Sequence, residues 1–239
     1  MYDPNIDTVF NESIIWRYMD FWKFASLIKE QALYFTRLDI LKDQFEGRIT
    51  PRDEKDIEDS MPTHTPQDRE NVKDLYNSDR NNYYANCWCM KNYESSLMWN
   101  AYIKSNKGIA IRSTDKKLRD SFNDEREIKL GKVEYIDRAT TPILDKCAHS
   151  QVLHKSKSYE DERELRAFLM KFVPVQGKKD LVWGGLAPPE KGLFVKVNLD
   201  SLIEEVAVKK DAPLGFEDLV ADVMRKYGLN KPVKHSDLT

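Results

Sequence analysis

Apolar and polar positions change rhythm several times along the chain, and each change marks an element. Residues 13–18 (SIIWRY) are rich in β-branched and aromatic side chains and predict a short strand. Phe21, Trp22, Phe24, Ala25, Leu27 and Ile28 then recur at helical spacing after Asp20, a residue type suited to an N-cap. A second strand is expected at 33–36 (LYFT), followed by the turn-rich LDILKDQFEG. Further strands are read at 83–90 (YYANCWCM), 108–114 (GIAIRST) and 192–198 (GLFVKVN), with a strand or hairpin over 128–136. Helices are expected over 95–104, over KKLRDSF with Thr114 and Asp115 as caps, over 142–158, over LDSLIEE, and over FEDLVADVMRKYG, which Gly228 would end as C′ residue. VAV (206–208) adds a strand, Gly184, Gly185 and the Pro188-Pro189 pair predict a loop, and 162–175 fits helix or strand equally.

Between 51 and 82 the chain turns polar and charged, with Ile57, Met61, Val72, Leu75 and Tyr76 as scattered apolar anchors. This predicts a surface helical insertion between core strands. Strands and helices alternate irregularly, and several neighbouring strands are too close for helical crossovers. The expected fold class is therefore α+β, a single domain over 1–239 with a mixed or antiparallel sheet and flanking helices.

Composition narrows the functional classes. The 239 residues are 41% hydrophobic and 33% charged with a formal net charge of -2, so no global field draws the chain to nucleic acid or an anionic membrane. No apolar stretch approaches the roughly 20 residues that cross a bilayer. Three cysteines, Cys87, Cys89 and Cys147, form no disulfide framework, and the N-terminus lacks a secretory signal pattern; a reducing, cytoplasmic setting is expected. The phosphate-loop, dinucleotide, zinc-protease and nucleophile-elbow motifs are all missing. Cys87-x-Cys89 with His149 and His154 is the one metal-like set, but its spacing is poor for zinc and alternation puts both thiols on one strand face, so they read as core cysteines and no metal is expected.

Several strings stand out together: IIWRYMDFWKF, LYFTRLDILKDQFEG, CWCMKNYESSLMWNAY, GIAIRST, ERELR and the tail YGLNKPVKHSDL. Nearly end to end, the chain resembles an uncharacterised bacterial domain family whose members carry an xYRY-like strand, a YFS/T strand leading to a DPFEG turn, a CWS…SxxMWxxY segment, an ExExR segment and a YGLxxPVxxSxL tail. It departs from that pattern at DQFEG, without the proline, and at CWCMKNYESS. The resemblance implies a component of a bacterial conflict or phage-defence locus, with an antitoxin or another product of the same operon as partner.

The layout of that family is similar to the ADP-ribosyltransferase scaffold, which implies NAD as substrate. On that likeness the catalytic candidates are Arg17, Glu162 and Glu164, with Glu164 carrying most weight as the second acid of an E-x-E pair. The candidates for holding NAD are Arg17, Tyr18, Tyr34, Phe35, Ser95, Ser96 and Trp99. The residue types suit the chemistry: a carboxylate facing the developing oxocarbenium lowers the barrier, and a guanidinium forks onto a diphosphate or ribose. If 162–166 is a strand, Glu162, Glu164 and Arg166 share a face. Plainer readings stand beside these. Arg17 could pair with Asp20 or Asp39; the ERELR charges could be a solvated helix face; Trp88, Met98, Trp99 and Tyr102 fit a core; Asp43 and Glu46 fit turn chemistry. The alternatives to a transferase acting on a protein or nucleic-acid acceptor are a non-catalytic sensor or antitoxin-like interaction module and a metal-dependent nuclease built on Asp43, Glu46, Glu162 and Glu164.

Overall fold

A computed structural model describes residues 6, 12–144, 149–172 and 189–238. In chain order it holds β1 (Ile14–Asp20), α1 (Phe21–Glu30), β2 (Ala32–Arg37), α2 (Pro51–Ser60), α3 (Pro66–Asp79), β3 (Tyr83–Met90), α4 (Ser96–Tyr102), β4 (Gly108–Thr114), α5 (Asp115–Ser121), β5 (Lys129–Lys132) and β6 (Glu134–Ile136). There follow α6 (Ser150–Leu153), β7 (His154–Ser156), β8 (Glu164–Met170), β9 (Gly192–Lys196), α7 (Leu199–Leu202), β10 (Glu205–Val208), α8 (Phe216–Lys226) and β11 (Val233–His235). Among the described residues a nine-stranded sheet runs β11-β10-β4-β1-β3-β2-β9, with β8 beside β3 and β5 beside β8. All its pairs are antiparallel except β10–β11, and β6 and β7 form a separate parallel pair. The fold is α+β, as the irregular alternation of elements predicts.

The strand pairing has one unusual feature. β8 occupies one edge of β3 from Tyr83 to Cys89. On the opposite edge β2 pairs only at Tyr84 and Ala85, and β1 only at Cys89 and Met90. Two parallel strands thus share one edge, and they splay apart over Asn86–Trp88. Helix α1 connects them, burying Phe24, Leu27 and Ile28 in the main core with Ile15 of β1, Phe35 of β2, Trp88 of β3 and Ile111 of β4. The other face of the sheet carries two smaller apolar clusters. One gathers Trp16, Tyr18 and Cys89 against Met98 and Trp99 of α4; the other gathers Tyr83, Ala85 and Phe168 against Val152 and Leu153.

Local chemistry explains several boundaries. Thr114 caps α5 by accepting from the Lys117 amide, and Gly228 takes the left-handed conformation (φ 77°) after α8. Asp20 stands at the N-cap of α1 but makes no cap bond; its Oδ1 accepts from the Ser105 hydroxyl. The expectation of a helix over 142–158 is corrected: among its described residues only 150–153 is α-helical, His154–Ser156 leaves it to pair with β6, and a 3-10 turn begins at Lys157, while residues 145–148, including Cys147, lie outside the described residues. Of the loop expected at 184–189, residues 184–188 lie outside them too. The ambiguity at 162–175 resolves as strand from Glu164 to Met170, paired on both edges over 165–168, while 173–175 lie outside the described residues.

The polar stretch 51–82 forms α2 and α3, each opened by the same Thr-Pro-x-Asp capping box. The two boxes do different work. Asp68 is exposed, whereas Asp53 is buried, and its Oδ1 also accepts from the Ile143 and Leu144 amides at 2.9 and 3.1 Å. Removing the Asp53 carboxylate strands several buried donors, so Asp53→Ala should cost about 3 kcal/mol or more in urea unfolding, whereas Asp68→Ala, at an exposed cap that water can satisfy, should cost much less. Equal costs would show that α2 is not anchored through this side chain.

Candidate functional site

Where β1 and β2 part, the Asn86–Trp88 edge of β3 has lost its ladder partners, and buried backbone groups must find others. Arg17, on β1, reaches into the gap and donates from Nη1 to the Cys87 carbonyl at 2.6 Å. Asn86 donates from Nδ2 to the Tyr34 carbonyl at 2.9 Å and accepts from the Trp88 indole at 2.8 Å. Arg17 is half-buried, and burial pushes its guanidinium below its ordinary value. Neither Asp20 nor Asp39 pairs with it: Asp39 is bound by Arg37 at 2.6 Å. The ion-pair reading of Arg17 is therefore replaced by one in which it bonds a carbonyl.

Across β3, opposite Cys87 and Cys89, stand Arg166 and Glu164. They are not a solvated helix face. Arg166 is fully buried and Glu164 is 4% exposed. Arg166 Nε donates to Glu164 Oε2 at 2.7 Å, and its Nη1 donates to Glu46 Oε1 and to the Val152 carbonyl, both at 2.8 Å. Lys155 Nζ donates to Glu164 Oε1 at 2.6 Å and to Glu162 Oε2 at 2.7 Å, and lies 3.8 Å from Glu46 Oε2. Tyr102, from the last turn of α4, donates its hydroxyl to Glu162 Oε1 at 3.1 Å. The Arg166 Nη2 amino group, also buried, has no hydrogen-bond partner.

The local backbone explains the convergence. Glu162 ends a 3-10 turn over Lys157–Glu162, Arg163 takes a left-handed conformation (φ 44°), and β8 starts at Glu164. That turn, rather than strand alternation, brings Glu162 and Glu164 to one ammonium. Glu46 arrives from the DQFEG turn. There Asp43 accepts from the Phe45 amide, and Gly47 (φ 69°) lies where a Cβ would stand 2.6 Å from Leu38 and 2.7 Å from Arg80. Asp43 is thus turn chemistry, while Glu46 is buried in the network.

Three carboxylates face two cations, and the excess negative charge has to be accommodated. Burial would raise Glu164, but Arg166 and Lys155 override it and hold that carboxyl well below the usual range. Glu162 takes the opposite course: burial, then the hydrogen bond with Glu164, pushes it up to about 7 against the pull of Lys155. Burial and the same carboxylates hold the Tyr102 phenol above its ordinary value. Burial, then Glu164, pushes the Cys87 thiol up to about 12 while Arg166, Lys155 and Arg17 pull against them, so this thiol sits between the two halves of the site and stays protonated.

The remaining candidates separate. Phe35 is fully buried and packs edge-on against Phe122, and Trp99 is 3% exposed with its indole donating to Glu94. Both are core residues. Tyr18 accepts from the Ser95 amide, and Ser95 caps α4, so this pair builds the helix start; Ser96 is exposed beside it. Tyr34 points to the face opposite Phe35, 43% exposed and edge-on to Phe194. Cys87 and Cys89 share a face, and among the described residues no group of three or more His, Cys, Asp or Glu is placed to hold a metal. The carboxylates of the nuclease reading do converge, without Asp43, on the Lys155 ammonium. Lys155 escaped the sequence reading because HKSKSYEDE looks like ordinary solvated chain.

No family model and no curated relative matches the chain. Solved structures similar to it include Thermus sp. 2.9 DarT in complex with carba-NAD+, at 10% identity over 95% of this chain and 96% of that one, with a TM-score of 0.36. The same protein in complex with NAD+ aligns at 12% identity over 95% and 97%, and in complex with ADP-ribosylated ssDNA at 11% over 94% of each chain, both again at 0.36. At that level the likeness assigns no site to this chain.

The raised Glu162 carboxyl has a measurable consequence. Its folded value of about 7 lies above the ordinary 4.5, so the folded state holds a proton that the unfolded chain releases. That stabilisation is present at low pH and is lost as pH rises from about 4.5 to about 7. Glu164, being depressed, acts in the other direction and only as pH falls below the ordinary carboxylate range. Between pH 5 and 8, Glu162→Gln should therefore gain on the wild type by about 1–3 kcal/mol in chemical unfolding. Parallel pH profiles for the two proteins would mean that Glu162 titrates normally.

Proposed function

We propose that this protein is an NAD-consuming, ADP-ribosyltransferase-like enzyme acting as a toxin or anti-phage effector on a protein or nucleic-acid acceptor. The observation that supports it is the single strand separating Arg17 from the Glu162–Glu164 pair at the parting of the sheet. In this reading the guanidinium donors of Arg17 that β3 leaves free bind the dinucleotide. Breaking the nicotinamide–ribose bond sends the bonding electrons to neutral nicotinamide and leaves an oxocarbenium-like ribose, which anionic groups stabilise. Glu164, with both oxygens held by cations, contributes fixed negative charge. Glu162, at 8% exposure and with the weaker hold on its ionised form, is the carboxylate that reaches a ribose hydroxyl or the incoming nucleophile. The leading role thus passes from Glu164 to Glu162.

A nicotinamide-release assay tests this. Glu162→Gln should lower turnover by about a hundredfold or more while changing NAD affinity little, because the charge acts on the transition state. Wild-type turnover should rise with pH through a limb near 7 as Glu162 ionises, and the limb should vanish in the variant. Arg17→Ala should weaken NAD binding by about one to two decades. Cleavage should persist in EDTA, whereas a nuclease would lose activity. Wild-type turnover in Glu162→Gln overturns the assignment.

A second reading has its own support. Every carboxylate of the network already has a cation, as in a network that holds a fold together, and α2–α3 offers a polar surface to an antitoxin or another partner from a defence locus. Under that reading, calorimetry at millimolar NAD records no binding.

A further inference from the structure

The proposed chemistry uses Glu162 and Glu164 but not the ammonium that joins them. This E-x-E pair has four carboxylate oxygens, and three of them are bound by cations. Glu164 Oε1 and Glu162 Oε2 accept from Lys155 Nζ at 2.6 and 2.7 Å, and Glu164 Oε2 accepts from Arg166 Nε at 2.7 Å. Glu162 Oε1 has a neutral donor instead, the Tyr102 hydroxyl at 3.1 Å. A neutral hydroxyl can be exchanged for a hydroxyl of a ligand without breaking an ion pair, whereas freeing any of the other three oxygens strands a buried charge. Glu162 is also the more open of the two, its side chain 11% exposed against 3% for Glu164.

Lys155 is placed from outside the main sheet. It lies on β7, and its register partner on β6 is Tyr135. The Tyr135 hydroxyl accepts from the Glu164 amide at 2.8 Å, so the two strands of the small sheet grip one residue, β6 at its backbone and β7 at its carboxylate. The ammonium is further confined by the Tyr159 ring, 4.7 Å away at its centroid, and by Glu46 Oε2 at 3.8 Å. Burial and Arg166 work against its charge, but Glu164, Glu46 and Glu162 outweigh them and hold it above its ordinary value, so it stays ionised. Without a cation between them, two buried carboxylates this close repel and turn apart.

We propose that Lys155 is the positioning residue of this site: its ammonium clamps Glu162 to Glu164 through Oε2 and so presents Glu162 Oε1 as the oxygen that meets a ribose or acceptor hydroxyl. The identity of that hydroxyl rests on the NAD reading; the clamp does not. Tyr102 holds the place of the ligand hydroxyl in the free protein.

Lys155→Met alone would leave three acids to one buried cation and is expected to unfold. The test therefore compares Glu46→Gln with Glu46→Gln/Lys155→Met, which removes one acid and one cation and keeps the net charge of the network. Carbon-13 spectra of glutamate-labelled full-length protein follow Glu162, with Glu162→Gln giving the assignment. Loss of the clamp should raise the pH at which Glu162 ionises by about one unit or more over the single variant, a tenfold shift in its protonation equilibrium. Nicotinamide release at pH 7 should fall about tenfold or more below the single variant and recover in part toward pH 9, while NAD affinity stays within about twofold. A purely structural lysine would move neither the titration nor the pH profile of the folded double variant, and either result overturns the proposal. Should the wild type release no nicotinamide, the NAD reading falls by itself. The Glu162 titration then decides the clamp alone: a rise supports it and an unchanged value overturns it.

Discussion

Two parallel strands contending for one edge of β3 is the constraint on which the rest of this structure depends. An edge can hydrogen-bond one neighbour at a time, so β2 takes its start, β1 takes its end, and the middle is left to side chains. Arg17 and Asn86 supply the missing partners. Helix α1 covers one face of the splayed strands.

β8 completes the arrangement from the far edge. A strand with both edges paired is committed to burial, and Glu164 and Arg166 are carried inward with it. Isolated charges at such depth would cost several kcal/mol each. They are tolerated because Lys155 of β7 and Glu46 of the DQFEG turn meet them and because Glu162, the member nearest solvent, is shifted toward its neutral form. The network therefore ties five chain positions from three regions into one unit. It also leaves one buried amino group, Nη2 of Arg166, without a partner.

The two halves of the site have opposite electrostatic character. Arg17 has a backbone carbonyl and no acid as its partner, whereas around Lys155 the acids outnumber the cations.

Much of the architecture was legible from the chain alone, for a definite reason. β1, β3, β4 and β9 are dense in β-branched and aromatic residues, and α8 alternates at helical period up to a glycine, so local preference and burial agree. The sequence also picked out Arg17, Glu162 and Glu164 as the polar residues worth attention. It could not tell Tyr34 from Phe35, because their exposure depends on which side β9 and α1 cover. It took Lys155 for part of a helix and Glu46 for spare turn chemistry, because Glu46 acquires its role from Arg166, far away in the chain, and Lys155 acquires its own only once the turn before β8 folds Glu162 and Glu164 back onto it. Charges in sequence carry no sign of depth. Whether ERELR lies on a wet helix or in a dry strand was decided by the pairing of β8 between β3 and β5, which is a property of the tertiary structure.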